Sequence, residues 1–235
     1  MTWISLTGIT LAVFALIATM SVRAGFRAEF VDTILGANAH VTVYNALYTD
    51  DAGRQTNVLP DYAKVAAERA NIPGVTGAAP LVRGPVMANN RDNSAGVDVY
   101  GISATDILGI PRVAGADESR GDLARFGEGI AIGSGVARLL SVTIGDRIKL
   151  ISPNGVKTAF GTSPRVNAYE VVYIFTAGRY DIDRTRVYMP FAAAQSYFNR
   201  EGVADEIEVI VREPEAIDQL AAEFLNAGGE HALVW

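Results

Sequence analysis

WISLTGITLAVFALIATMSV, residues 3–22, carries no charged side chain, and Arg23 is the first charged residue of the chain. Wound as a helix at about 1.5 Å per residue, the run spans roughly 30 Å, the hydrocarbon thickness of a bilayer. Ile4, Leu6, Ile9, Leu11, Val13, Phe14, Leu16 and Ile17 each favour insertion by about 0.3 to 0.6 kcal/mol near the helix centre, roughly 2.4 to 4.8 kcal/mol together. Ser5, Thr7, Gly8, Thr10 and Thr19 dilute this gain without adding charge. Gly8, Ala12 and Ala15 recur at three- and four-residue steps, a small-residue side suited to close packing against another membrane helix.

A cleavable signal peptide is also N-terminal and apolar. Here no Lys or Arg precedes the run, and its length exceeds the usual apolar segment of about 7 to 15 residues. The positive-inside rule alone would place Arg23 and Arg27 in the cytoplasm. Beyond them Phe26, Phe30, Val31 and Ile34 keep helical spacing as far as Gly36, so the helix is expected to leave the membrane as a stalk ending at residue 35. This divides the chain into 1–35, transmembrane helix and stalk, and 36–235, an outer domain.

Composition narrows what that domain does. The 235 residues carry a net charge of −6, with arginines scattered among acids; no basic stripe offers itself to nucleic acid. There is no cysteine, which removes disulfides, zinc thiolates and thiol nucleophiles together. With 49% hydrophobic residues the chain has the material for a real core.

Residues 40–44 (HVTVY) alternate and are β-branched, the pattern of a strand. A polar loop over 50–57 precedes a helix over 61–70, opened by Pro60 and Asp61. Residues 75–87 form a strand broken by Pro80 and Pro85, with a turn over 89–94 and an antiparallel partner over 97–102. The pattern from 104 to 126 is weak, short helical turns and loop. A strand over 129–132 follows, then a helix capped by Ser134 and running to 140, a Gly145-Asp146 turn and a strand over 147–152. Residues 153–165 are rich in Gly, Pro, Ser and Thr and are expected to loop between strands. Residues 169–177 alternate in part, with 186–189 as the expected partner; a helix over 191–199, a strand over 206–211 and an amphipathic helix over 214–225 complete the chain. The two β-α-β orders predict two α/β lobes about a more strand-rich centre.

No chemistry-bearing constellation emerges. His40 and His231 lack Cys, Asp or Glu at ligand-like offsets, so no metal is expected. Ser134 lacks the upstream glycine of a nucleophile elbow. Residues 127–133 miss the dinucleotide spacing by one, and no phosphate-binding G-x-x-x-x-G-K-[ST] occurs. Asp181, Asp183, Arg184 and Arg186 fit a solvated turn with local ion pairs. Neither a catalytic residue nor a cofactor is expected.

Gly8-Ile-Thr-Leu-Ala-Val13, the run from Ser21 to Phe30 and Ile34-Leu-Gly-Ala-Asn-Ala-His-Val41 resemble the first membrane helix and stalk of the LolC/LolE family of lipoprotein-releasing ABC transporter permeases. Thr158-Ala-Phe-Gly-Thr-Ser-Pro-Arg165, Ile174-Phe175, Gly178-Arg-Tyr180, Met189-Pro190, Ala194-Gln195 and Tyr197-Phe198 are similar to the same family, so the likeness covers essentially the whole chain. It implies an α+β architecture in which the transmembrane helix carries a periplasmic domain with a porter-like α/β lobe and a β-rich lobe, close to that of MacB-type permeases. It further implies a place in the bacterial inner membrane. There the subunit would work with a cytoplasmic ATPase subunit, a second permease subunit, a lipoprotein substrate and a periplasmic carrier. Thr158, Ala159, Phe160, Gly161, Thr162, Ser163, Pro164 and Arg165 match the hook that holds the carrier, with Ala159 where a proline is common. Met20, Val22 and Phe26 fall at the level where lipoprotein or membrane would be contacted. Arg23-Ala24 stands where members usually carry Met-Asn. Such permeases have four membrane helices, so the chain resembles the first helix and periplasmic domain of a longer protein. The alternatives are a MacB-like or FtsX-like permease with another substrate or partner, and a membrane-tethered enzyme.

Overall fold

In the computed structural model, which describes residues 2–35, 39–49, 53, 55–116, 118–158, 161–212 and 232–234, the apolar run becomes one helix, α1 (Thr2–Leu35). Its stretch Trp3–Arg27 is long and apolar enough to cross a membrane, and none of that window is buried against the rest of the chain. Thr10 and Thr19 return their hydroxyls to the carbonyls of Leu6 and Ala15 at 2.8 and 2.7 Å, and Thr7 does the same to Trp3. Each hydroxyl is thereby satisfied within the helix, as an apolar surrounding requires.

The body begins with β1 (Val41–Asn45) and a small hairpin, β2 (Tyr48–Thr49) with β3 (Gln55–Thr56), in the region expected to be plain loop. Helix α2 (Tyr62–Ala70) follows. Next come β4 (Val75–Asn90) and β5 (Asn93–Ile102), joined by a tight turn with Arg91 at φ 51°. Two short helices, α3 (Ala104–Ile107) and α4 (Pro111–Ala114), lead to β6 (Arg120–Gly121) and a 3-10 segment over Leu123–Glu128. Ser103 caps α3 by accepting from the Asp106 N–H at 3.0 Å. Then come β7 (Ile130–Gly133), α5 (Ser134–Leu140), β8 (Arg147–Thr158), β9 (Gly161–Phe175), α6 (Tyr180–Thr185), β10 (Arg186–Pro190), α7 (Phe191–Phe198), β11 (Glu206–Val211) and β12 (Ala232–Val234). The helix expected over 214–225 and the Gly36 cap lie outside the described residues.

Strand β4 organises the domain. Its first half, Val75 to Leu81, pairs antiparallel with β11, which pairs with β1, which pairs with β12. Its second half, Val82 to Asn90, pairs with β5 and, at Met87 to Asn89, also with β8. From there β8 pairs with β9, β9 with β7, β7 with β10 and β10 with β5. The ring β4-β5-β10-β7-β9-β8 therefore closes on itself, and a sheet with no free edge around the ring is a barrel. The chain is thus a mixed α/β body, one small sheet and one barrel sharing a strand.

Several expectations change for a physical reason. Pro80 and Pro85 do not break β4: each sits where the strand has a single neighbour, β11 or β5, so a missing N–H can face away from any partner. Strand β10 pairs with β5 and β7 rather than with β9. Gly133, not Ser134, is the N-cap of α5, with no side-chain capping bond. The glycine is required by packing: a Cβ there would strike the Asp183 backbone of α6.

Three apolar clusters hold these layers. Val41, Val43, Ile207, Val209 and Val211, one face of the small sheet, pack with Leu59 and Ala66 beneath α2. All six barrel strands contribute to a second, among them Val82, Val97, Ile130, Ile148, Val171 and Val187, closed by Val136 and Leu140 of α5 and Tyr197 of α7. The third gathers Leu81, Ile102, Ile107, Val113, Phe126 and Phe175 under the short helices, where the Tyr173 hydroxyl donates to the Val113 carbonyl at 3.0 Å.

Candidate functional site

The segment expected to be an irregular loop is a β-hairpin. Strands β8 and β9 run antiparallel from Arg147↔Glu170 out to Thr158↔Gly161, with a register shift between Ser152 and Val156. A composition of Gly, Ser, Thr and Pro reads as loop by propensity, yet pairing to a neighbour across the hairpin supplies the backbone bonds. Thr158 ends one strand and Gly161 and Thr162 begin the other; Ala159 and Phe160 lie outside the described residues. Ser163 and Pro164 are exposed.

Arg165 is turned back to the body. Its Nη2 donates to Asn199 Oδ1 at 2.8 Å, and Nη1 donates to the Ser196 carbonyl. Asn199 is the left-handed C-cap of α7, so Arg165 satisfies the Ser196 carbonyl, one of those a helix end leaves open, and places positive charge at its negative end. The hairpin stem is thereby tied to α7. Met20, Val22 and Phe26 lie on α1, at 63, 72 and 69% exposure.

A second constellation was not legible from spacing. On the face of the small sheet opposite α2, Glu206 and Glu208 of β11 lie beside Tyr44 and Thr42 of β1. The same face continues across β4 to Arg83, across β5 to Tyr100, and across β10 to Arg186 and Tyr188. Arg83 Nε stands 3.2 Å from Glu206 Oε1, an ion pair outside hydrogen-bond alignment. Asp205 accepts from the Arg83 N–H at 2.9 Å and from Arg200 Nε at 2.9 Å. The Arg186 guanidinium lies 4.3 Å over the Tyr100 ring and donates to the Tyr100 and Tyr188 hydroxyls at 3.3 and 3.4 Å. A cleft of about 790 Å³ opens onto these groups.

Burial dominates their protonation. It pushes Glu208 up to about 7, opposed by Arg186 and reinforced by the neighbouring Glu206. Glu206 also rises through burial, with Arg83 pulling it back. Tyr188 is pushed up to about 12 by the same loss of solvation. The one sequence signal was the acid-apolar alternation of Glu206-Ile-Glu-Val-Ile-Val211, which reads equally as an exposed edge.

The turn over Asp181 to Arg186 is only partly solvated. Arg179 and Asp181 do pair at 2.8 Å, but Asp183 is buried and accepts from the Ala177 N–H at 2.7 Å, and Arg186 belongs to the cluster above. His40 takes a structural place, accepting at Nδ1 from the Val211 N–H at 3.0 Å; His231 lies outside the described residues. Among the described residues no group of three His, Cys, Asp or Glu could hold a metal ion.

Residues 2–227 match the model of the MacB-like periplasmic core domain. The lipoprotein-releasing system transmembrane protein LolC of Neisseria meningitidis serogroup B is 26% identical over 239 residues, which is 100% of this chain and 54% of that protein. The LolC of Xylella fastidiosa strain Temecula1 is 27% identical over 205 residues, 85% of this chain and 46% of that protein. The chain thus spans about half the length of the curated relatives it matches. Among solved structures, the periplasmic region of MacB from Actinobacillus actinomycetemcomitans shares the fold with a TM-score of 0.52 at 11% identity, covering 88% of this chain and 93% of that one. The extracellular domain of the noncanonic ABC-type transporter YknZ from Gram-positive bacteria does so with a TM-score of 0.50 at 13% identity, covering 83% and 99%.

Proposed function

The chain belongs to the MacB-like periplasmic core domain family, and from that premise we propose that it is the anchoring helix and periplasmic domain of an ABC-transporter permease subunit that releases lipoproteins from the bacterial inner membrane to a periplasmic carrier. Residues 1–35 would cross the membrane and form the stalk, and 36–235 would lie in the periplasm. Energy would come from a cytoplasmic ATPase subunit, consistent with a sequence that holds no phosphate-binding loop of its own. A second permease subunit would pack against the small-residue side of α1. The periplasmic domain would bind rather than catalyse.

The observation that carries this reading is the hairpin. Its stem is paired as far as Thr158↔Gly161 and tethered through Arg165, so its tip is presented on a rigid base, which lowers the ordering cost of binding. Between those strand ends the sequence sets Phe160, a large apolar side chain in a tip otherwise built of small and polar residues. This is the chemistry of an aromatic anchor entering a partner's pocket. The likeness to MacB and YknZ domains is one of fold alone, and a carrier-binding measurement separates lipoprotein release from a permease with another substrate.

Phe160→Ala is therefore expected to weaken binding of the lipoprotein carrier about thirtyfold, about 2 kcal/mol, with the melting temperature unchanged. Calorimetric titration of the detergent-solubilised chain with the carrier, beside a melting curve, checks this. Wild-type affinity in the variant excludes Phe160 as the anchor. A large fall in melting temperature assigns its ring to the domain's own core.

A further inference from the structure

The hairpin parts from the barrel sheet at a definable place. Strand β8 pairs with β4 only over Lys149 to Ile151, and β9 meets β7 and β6 only from Val171 onward. Among the described residues, the stretch from Ser152 to Thr158 and its partner from Gly161 to Arg165 therefore pair with each other alone. Their ladder shifts register between Ser152 and Val156, and at Gly155, inside the shift, a Cβ would strike the Ser163 carbonyl, so the two backbones are in direct contact there. A ribbon of two strands is marginally stable by itself, and its own hydrogen bonds fix its twist and direction only weakly. Arg165, opposite Ser152, stands at the root of this ribbon.

What meets the root is the C-terminal turn of α7. Arg165 donates through Nη2 to Asn199 Oδ1 at 2.8 Å and through Nη1 to the Ser196 carbonyl. The Tyr169 ring of β9 stands edge-on to Tyr197, with centroids 6.2 Å apart. The same turn is held to β4 on its other side. Phe198 packs onto Gly84, where a Cβ would come within 2.7 Å of its ring. Arg200 donates from its N–H to the Gln195 carbonyl at 2.8 Å and from Nε to Asp205 Oδ1 at 2.9 Å. Asp205 is in turn fixed to β4: its N–H donates to the Leu81 carbonyl at 2.8 Å, and its Oδ2 accepts from the Arg83 N–H at 2.9 Å.

We propose that the turn from Ser196 to Arg200 is a bracket that fixes the direction of the carrier-binding hairpin relative to β4, and that Arg165 is the positioning residue that closes it. Its consequence for the carrier rests on the function proposed above. Arg165 acts on binding without touching the carrier: with the bracket closed the stem presents its tip in one direction, so the ordering cost falls on folding and not on association. With the bracket open the ribbon samples further directions, and apparent affinity falls by the fraction of them that cannot bind.

An arginine at the base of a binding hairpin has an ordinary alternative role, as a rim cation that speeds encounter with an acidic partner. The two roles part at Asn199. Its φ is 55°, so Asn199→Gly suits the left-handed backbone, removes the acceptor and leaves the Arg165 charge in place.

The experiment compares Arg165→Gln, Asn199→Gly and the double variant, each in the full chain in detergent micelles, by hydrogen exchange and by calorimetric titration with the purified lipoprotein carrier. Protection of the stem amides, Val156 to Thr158 and Gly161 to Ser163, is expected to fall about tenfold in Arg165→Gln, which loses two exposed bonds, and about threefold in Asn199→Gly, which loses one. Barrel-core amides such as Ile132 are expected to stay unchanged. Carrier affinity is expected to fall by similar factors at low and at high salt, and the double variant to lose no more than Arg165→Gln alone, because both changes open one contact. Unchanged stem protection in Arg165→Gln overturns the bracket. So does a loss of affinity in Arg165→Gln that Asn199→Gly does not share or that vanishes at high salt, since either makes Arg165 a charge read by the carrier. If the carrier does not bind even the wild-type chain, the function proposed above fails, and stem protection by itself still decides the bracket.

Discussion

Truncating Phe126 to alanine is expected to destabilise the domain by about 3 to 5 kcal/mol. For a chain of this size that corresponds to a fall of roughly 6 to 20 °C in melting temperature. Phe126 sits in the 3-10 segment between β6 and β7, with no exposed surface, packed with Leu81, Ile102, Ile107, Val113 and Phe175. Alanine would lose the transfer gain of the ring and leave a cavity that few neighbours can fill. They are fixed by the barrel strands on one side, and by the Asp122 cap of the 3-10 segment, which accepts from the Ala124 N–H at 2.9 Å, on the other. Thermal unfolding followed by circular dichroism, beside Leu123→Ala at a less buried position of the same turn, checks the value. A shift of under about 2 °C for Phe126→Ala would mean that the cluster under the short helices does not melt with the barrel.

The second large effect is expected at Leu11→Arg, at the middle of the uncharged run. A charge at a helix centre costs about 2.5 to 3.5 kcal/mol of insertion free energy, comparable to the whole gain of roughly 2.4 to 4.8 kcal/mol from the apolar side chains. Leu11 has no neighbour in the domain against which an arginine could hide, because α1 leaves this window unburied within the chain. Membrane retention after carbonate extraction is therefore expected to fall by a factor of roughly 100 in the equilibrium ratio, with the periplasmic domain still folded. Recovery of the wild-type chain shortened and soluble, with a new N-terminus near Ala24, would show that the run is a cleaved signal instead.

These two sites differ in how they were found. Leu11 belongs to a feature written in composition alone, whereas Phe126 falls in a stretch, 104–126, whose pattern announces only turns. Its burial depends on β5, β7 and β9 arriving around it from separate parts of the chain. The hairpin tip divides in the same way. Its residues stand out by their odd mixture of glycine, proline and one phenylalanine. That they extend two paired strands, with Arg165 bonded 34 residues away to Asn199, is a fact of contact.

By itself the sequence determined what local physics governs: an uncharged run of bilayer length, β-branched alternation at Val41 and Ile207, the helix ending before Pro73-Gly74, the turn at Gly145 where φ is 88°. Each rests on hydration or on backbone preferences of adjacent residues, so a window of a few residues contains it. Only the tertiary structure decided which strands meet. The parallel pairing of β10 with β5, the closing of the barrel through β4 and β8, and the use of Pro80 and Pro85 in a continuous strand all depend on where a remote neighbour lies. The same holds for Glu208. Along β11 it is one more acid in an alternating run; on the assembled face, where Arg186 and Glu206 act on it, partial burial pushes it up to about 7, because solvation and neighbouring charges are properties of that face and not of the residue.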